Sequence, residues 1–262
     1  MAREKETTTI VKAFVAACSI FAPHIDVVQA ADLTAGQPPA TPVAPPEMSP
    51  HWFVRIGGLG VISQSSSKLY VQQQIVGGFG VGPQILVPGR SESYSNLLSV
   101  SFQAGYFITP NWSLDVSSGI PVWQTARITG YSAIQPFAGT VLSTALPGAP
   151  PITAVYHFTQ FGALQPYVGG GVAPIFALTV RDGFSVGSST EPSVGLVLQG
   201  GFDYMLNRNW GVFIDAKKYF DRSVSKATGL NYGPPVGVIE TAATAVTNAQ
   251  PWVLAMGLTY RF

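Results

Sequence analysis

The stretch Trp252-Val253-Leu254-Ala255-Met256-Gly257-Leu258-Thr259-Tyr260-Arg261-Phe262 decides the fold. Trp252, Leu254, Met256, Leu258, Tyr260 and Phe262 are large and apolar and occupy every second position, with small or polar residues and one Arg between them. A β-strand sends alternate side chains to opposite faces, so this segment has one wholly apolar face and one polar face. Roughly 9–11 residues are what a tilted strand needs to cross a bilayer. The segment reads as the closing strand of an outer-membrane β-barrel. The last strand of a soluble sandwich is the alternative that the rest of the chain must exclude.

Composition works in that direction. Of 262 residues, 47% are hydrophobic and 10% charged, whereas soluble domains carry about 25% charged residues. Outside the N-terminus no run approaches the roughly 18 apolar residues of a spanning helix. The apolarity must then be spread over alternate strand positions, with 28 Gly and 21 Pro supplying turns. A net charge of +1 without a Lys/Arg cluster excludes nucleic acid as a partner.

Residues 1–30 read as a cleaved secretory signal. Arg3, Lys5 and Lys12 precede a short apolar core from Ala13 to Ala22, and Val28-Gln29-Ala30 supplies a cleavage site before Ala31. A lipoprotein site at Val15-Ala16-Ala17-Cys18 is the rival reading. It would leave an apolar core of about five residues, shorter than the roughly 7–15 such signals use. Cys18 is the only cysteine, so the processed chain is expected to have no disulfide or thiol chemistry. Residues 31–50 hold six prolines and read as an extended periplasmic lead-in to a barrel over 51–262.

Seven more segments phase like the last. Their apolar faces begin at Trp52/Val54/Ile56, Leu98/Val100/Phe102, Trp112/Leu114/Val116, Ile152/Ala154/Tyr156, Val168/Val172/Phe176, Val194/Leu196/Leu198 and Trp210/Val212/Ile214. No charge falls on these faces. Arg55, Asp115, Asp203, Asp215, Lys217 and Arg261 all fall on the opposite face, with His157. A lipid-facing Arg or Lys would cost roughly 2–4 kcal/mol at mid-bilayer, so a barrel requires this sorting. Lys218 alone breaks phase and is expected at the outer end, near headgroups.

The second face separates barrel from sandwich. A soluble sandwich would turn a Lys-, Glu- and Asp-rich face to water. Here it carries Ser99, Ser101, Gln103, Gly105, Gly169, Gly171, Gln199 and Gly201, which suit the crowded inside of a narrow barrel. The few charges there are expected to pair as a lumen network of Arg55, Asp115, His157, Asp203, Asp215, Lys217 and Arg261, because a lone buried charge is expensive. Eight strands leave no porin-sized pore.

Connections at 109–111, 159–163 and 207–209 are short, while those at about 63–95, 124–149, 182–191 and 225–249 are long. Outer-membrane barrels have short periplasmic turns and long extracellular loops, which puts both ends of the barrel on the periplasmic side. Gly105-Tyr-Phe-Ile-Thr-Pro-Asn-Trp112 and Asp203-Tyr-Met-Leu-Asn-Arg-Asn-Trp210 both set Tyr and Trp beside a short turn, as an interfacial girdle requires.

Several motifs in order resemble the OmpW family. They are Pro151-Ile-Thr-Ala-Val-Tyr156-His-Phe158, Leu164-Gln-Pro-Tyr167-Val-Gly-Gly-Gly171-Val172 and Gly200-Gly-Phe-Asp203-Tyr204-Met-Leu-Asn207-Arg-Asn-Trp210. The Pro251-Trp252-Val start and Tyr260-Arg261-Phe262 end of the last strand complete the set. Gln165 stands where that family usually has Arg, and the Pro-rich lead-in and apolar long loops also depart from it. The resemblance implies an eight-stranded antiparallel transmembrane barrel whose narrow channel passes small hydrophobic molecules; a monomer is favoured, with the oligomeric state left open.

Leu59, Val61, Val155, Ala173, Ile175, Val197, Phe213, Val253 and Ala255 would supply apolar lumen surface, about half of them merely packing the barrel. Pro121 and Pro174 are placed within strands, where each would remove a ladder hydrogen bond. They mark either a lateral exit from lumen to bilayer or a simple bend. Tyr260 and Phe262 resemble the signal read by the barrel-assembly machinery. Lipid, lipopolysaccharide, that machinery and small hydrophobic solutes are the implied partners.

An enzyme reading finds little. After the leader only His51 and His157 offer the usual general base. His157 sits near a periplasmic turn and is expected to hydrogen-bond Asp or Gln in the lumen. There is no metal-ligand cluster, phosphate-binding loop or nucleophile motif, and no cofactor is implied. The non-transport alternative is a structural or adhesive barrel of the OmpA type, with a plugged lumen and interaction loops.

Overall fold

The computed structural model describes residues 52–74, 81–86, 91–129, 139–231, 234 and 238–262. The leader, the Pro-rich lead-in and His51 lie outside the described residues. Sixteen strands form one sheet among the described residues. In chain order they are β1 (Trp52–Ile62), β2 (Ser65–Gln74), β3 (Val81–Leu86), β4 (Ser91–Tyr94), β5 (Leu97–Phe107) and β6 (Trp112–Gly119). Next come β7 (Gln124–Thr129), β8 (Val141–Gly148), β9 (Ile152–His157), β10 (Leu164–Asp182) and β11 (Ser185–Val186). The last are β12 (Ser189–Thr190), β13 (Ser193–Met205), β14 (Trp210–Asn231), β15 (Val238–Ala249) and β16 (Trp252–Arg261). No helix among the described residues is long and apolar enough to cross a membrane.

Eight strands close a ring, every neighbour antiparallel. β1 pairs with β5, β5 with β6, β6 with β9 and β9 with β10. β10 then pairs with β13, β13 with β14, β14 with β16, and β16 returns to β1. These are the eight segments expected from periodicity. Closure pairs both edges of each of the eight strands over much of its length, as bilayer depth demands, where unpaired backbone N–H and C=O groups would find no water.

Register sends the two periodic faces to different solvents. Leu196 and Leu198 of β13 are exposed while Val197 and Gln199 between them are buried; Trp52, Val54 and Ile56 of β1 are exposed while Phe53 and Arg55 are buried. In lipid the exposed set is the satisfied one. Around the short turns Trp52 packs on Tyr106, Trp112 on Tyr156 and Trp210 on Tyr260, with ring centroids 5.0, 5.2 and 4.7 Å apart. Amphipathic rings favour the membrane–water interface, which fixes this rim of the barrel there.

The long connections are built of strands rather than of loops alone. β10 runs 19 residues and β14 runs 22, about twice a bilayer crossing. Beyond the ring, β14 pairs with β15, β15 with β2 and β2 with β3, which makes one extracellular wall. A second wall runs from β10 through β8 and β7 to β4. β11 and β12 fold back on β14. Ala126, Ile128, Leu142, Phe184 and Leu230 form a small apolar cluster there, with Tyr94 packed against it. Lys218 lies at the base of the first wall, 5.1 Å from the Trp252 ring, and donates to Gln64 Oε1 and the Gln250 carbonyl. This is the outer end that its break in phase predicts.

Candidate functional site: an apolar chamber above an ionic floor

The periplasmic half of the lumen is filled by a charged network. Arg55 Nη2 donates to Asp203 Oδ2 at 2.7 Å, and Arg261 Nη2 donates to the same oxygen at 3.0 Å. Arg55 Nη1 lies 3.8 Å from Asp115 Oδ2. Asp115 also accepts from Gln103 Nε2 at 3.0 Å and Ser113 Oγ at 2.5 Å, and Ser113 Oγ lies 3.0 Å from His157 Nε2. Beside this, Asp215 takes the Lys217 ammonium, Gln199 Nε2 at 2.7 Å and the Tyr167 hydroxyl at 2.9 Å. Thr153 Oγ1 donates to Gln199 Oε1 at 2.6 Å.

Three carboxylates therefore meet three cations, and the neutral side chains take up further acceptors. Buried charges demand such a balance, since a carboxylate left without its cation carries an uncompensated desolvation cost. The Arg55 guanidinium is also sandwiched by aromatics, 4.5 Å from the Phe53 ring centroid and 4.9 Å from that of Tyr167. Cation–π attraction strengthens where water is excluded. The sheet makes room for these bulky groups with glycine. A Cβ on Gly105 would strike the Phe53 ring and come within 2.7 Å of Asp115 Oδ1.

Above the floor opens a chamber of about 300 Å³. Leu59, Val61, Ile175, Val253 and Ala255 line it, together with Leu97, Val122, Pro147 and Phe176. Asp215 and Lys217 form part of its base. A second cavity of about 80 Å³ lies between the extracellular walls, and Tyr94, Gln124, Ala145, Thr190 and Ser225 border both. The outer cavity is lined by Leu69, Val71, Ile128, Leu142 and Phe184, and by one acid, Glu92. Glu92 accepts from the Tyr94 hydroxyl at 2.8 Å. Burial raises the Glu92 carboxyl above the usual carboxylate range, an effect the Tyr94 hydrogen bond partly offsets.

One sector of the ring is incompletely laddered. The β6–β9 pairing ends at Val116 opposite Ile152. On the other side, β10 leaves β9 at Val172 and meets β8 only at Phe176 opposite Gly148. Residues 120–123 carry the chain away from β6 without strand structure, and Ser117–Val122 and Pro147–Ala149 line the chamber at this break. Pro121 therefore lies past the end of β6, not within a strand as expected from the sequence. Its lack of an N–H suits a position that continues no ladder. Pro174 does lie within β10, opposite Val194 of β13, but it is exposed on the outer face and does not line the chamber.

The remaining expected residues sort by depth. Val155, Ala173, Val197 and Phe213 point inward and are fully buried in packing rather than lining the chamber. His157 hydrogen-bonds Ser113 rather than an Asp or Gln, and reaches Asp115 only through that hydroxyl. Its ring is wedged against Phe107 and Tyr167, with centroids 4.8 and 5.2 Å away. Ser113, Thr153 and Tyr167 join the network unexpectedly, although each falls on the inward parity of its strand. Glu92 escapes sequence reasoning because it lies in a connection where no periodic signal marks an inside. At the seam, Phe262 N–H donates to the Trp52 carbonyl at 2.9 Å, and the Tyr260 and Phe262 rings sit 5.1 Å apart.

Comparison with known proteins agrees with this architecture. The chain is 33% identical over 226 residues to the uncharacterized outer-membrane protein y4mB of Sinorhizobium fredii, covering 86% of this chain and 85% of that one. It is 28% identical over 174 residues to the dibenzothiophene metabolism operon protein PahQ of Pseudomonas aeruginosa, covering 66% and 74%. The crystal structure of the outer membrane protein OprG from Pseudomonas aeruginosa superposes with a TM-score of 0.65 at 18% identity, covering 81% of this chain and 95% of that one. Residues 82–262 match the OmpW family model. With its closed eight-stranded ring and lipid-sorted faces, the chain is an outer-membrane β-barrel that belongs to the OmpW family.

Proposed function

We propose that this barrel is a conduit for small hydrophobic molecules, which enter between the extracellular walls, occupy the chamber and leave sideways into the bilayer. The observation that carries this reading is an apolar chamber ending on a floor of paired charges. A chamber of about 300 Å³ is at the lower end of small-molecule sites. Its walls give an apolar solute a place out of water, worth about 25 cal/mol per Å² of apolar surface removed. Below it, a solute would have to part the Arg55–Asp203 and Lys217–Asp215 pairs to reach the periplasm. Sideways it meets the sector where 120–123 and 149–151 have no strand structure, rich in proline, with exposed Ile120 and Pro121 beyond. The name of the relative PahQ refers to dibenzothiophene, an aromatic molecule of the class such a chamber suits.

The test is protein-dependent uptake of an apolar fluorophore by proteoliposomes, alongside conductance in planar bilayers. Uptake above that of empty liposomes is expected, and its loss in Pro121→Val, which gives residue 121 the N–H to extend the ladder, would support the lateral route. Unchanged uptake in that variant would sink the lateral exit while leaving the conduit standing. The OmpA-type structural reading draws on the same floor as a plug. Failure of both uptake and conductance would favour it.

A further inference from the structure

The outward parity of β14 is apolar from Trp210 to Ala216 and then turns basic. Lys218 and Arg222 follow on that face, on either side of exposed Phe220, while Lys217, Tyr219 and Asp221 between them are buried. Across the first wall, Asn248 of β15 lies between Arg222 and Ser66 of β2. Two residues beyond Ser66, Lys68 is exposed on the same outer face, while its neighbour Ser67 is buried. Three cations therefore share one external patch.

Their height places them at the outer membrane surface. At about 3.3 Å per residue and a tilt of about 40°, Lys218 stands about 20 Å and Arg222 about 31 Å above the rim marked by Trp210. The apolar band of such barrels is about 25 Å tall, so the two bracket its upper boundary. Trp252, opposite Lys218 and exposed, sets its ring 5.1 Å from the Lys218 ammonium. An exposed Trp at this level is what a membrane–water interface favours.

The patch keeps its charge. Lys218 donates to Gln64 Oε1 and the Gln250 carbonyl, both neutral. Arg222 and Lys68 have no acidic partner among the described residues. The nearby carboxylates are committed elsewhere: buried Asp221 accepts from the Ser193 hydroxyl, and Glu191 takes Lys226.

We propose that this face docks one lipopolysaccharide molecule of the outer leaflet, with Lys218, Arg222 and Lys68 on its lipid A phosphates and Phe220 and Trp252 against its acyl chains. Ammonium and guanidinium groups make charge-assisted hydrogen bonds to phosphate oxygens, stronger than neutral ones. Lys218 and Arg222 stand about 13 Å apart along the strand, a spacing that suits a headgroup phosphorylated at both ends. Nothing in this contact depends on the lumen, so it stands apart from the conduit.

The experiment titrates the purified full barrel in neutral detergent with diphosphorylated lipid A, its fully dephosphorylated form and phosphatidylglycerol, reading bound lipid by native mass spectrometry. A cation beside an anionic lipid surface is worth roughly fivefold in affinity, so the diphosphorylated form should bind roughly a hundredfold tighter than the dephosphorylated one. High salt should narrow that ratio. Lys68→Gln, Lys218→Gln and Arg222→Gln together should bring the two affinities together, whereas Arg208→Gln, at the short turn on the opposite rim, should not. Where the triple variant does not fold, Arg222→Gln alone, an exposed side chain without an ion pair, should lower the ratio roughly fivefold. Equal binding of the two lipid A forms by the wild type, or a preference that survives in the triple variant, would overturn the assignment. Phosphatidylglycerol binding as tightly as diphosphorylated lipid A would overturn it too, by showing a general attraction to anionic lipid.

Discussion

Gly57 of β1 faces Gly257 of β16 across the barrel seam, and each occupies space that a side chain on the other would need. A Cβ on Gly57 would collide with the Met256 carbonyl oxygen and lie 2.9 Å from the Gly257 Cα. The strand that ends the chain can close the ring only because this inward-facing rung is bare. Gly58, the next residue, points outward, and a Cβ there would meet nothing within 4 Å.

Gly57→Ala should therefore weaken closure while Gly58→Ala should not. Overpacking costs about 1–3 kcal/mol, and the neighbour here is backbone, which yields less than a side chain. The folded fraction after refolding into detergent, read by the heat-dependent shift in gel mobility, should fall for the first variant only.

Asp203 is the one carboxylate that both Arg55 and Arg261 grip. Asp203→Asn would leave two guanidinium groups facing each other inside the barrel. Breaking a buried pair from one side costs about 3–5 kcal/mol. Arg261→Gln should cost less, because its side chain is partly exposed and Arg55 still holds Asp203. Urea unfolding followed by tryptophan fluorescence checks the order.

Asp182 ends β10 and accepts the backbone N–H groups of Ser188 at 2.9 Å and Gly187 at 3.0 Å. The Ser188 N–H foremost holds its carboxyl below the usual carboxylate range; burial opposes this, and the Gly187 N–H and the Ser188 hydroxyl add to it. A depressed folded-state pKa gives stability that is present above the ordinary value, about 3.9, and is lost as pH falls through the lowered one. Amide exchange at Gly187 and Ser188, corrected for its intrinsic pH dependence, should lose protection only on acidification below the ordinary carboxylate range. Asp182→Ala should show the loss already at neutral pH.

Phe262 donates its backbone N–H to the Trp52 carbonyl at the seam and sets its ring edge-on to that of Tyr260. Deleting it should lower the amount of barrel in the outer membrane more than it lowers uptake per inserted molecule. Normal membrane levels of the deletion would count against a role in assembly.

Within the bilayer the sequence by itself determined the fold. Lipid outside and packed charges inside impose opposite demands on alternate residues, so Trp252 to Phe262 and seven other segments could be phased without coordinates. The same parity placed Arg55, Asp115, Asp203, Asp215, Lys217 and Arg261 in the lumen. Above the bilayer that contrast disappears. Water meets the outer faces of both walls, so strands such as Val238–Ala249, made largely of Ala and Thr, show no alternation of large apolar and polar residues and read as loop. Parity also says which residues face inward but not how deep they lie. Only the closed ring decided that Val155, Val197 and Phe213 pack the floor while Leu59, Ile175 and Val253 line a chamber. It decided too that Pro121 stands where the β6 ladder has ended, and that Glu92, in a connection without periodicity, lines a cavity between the walls.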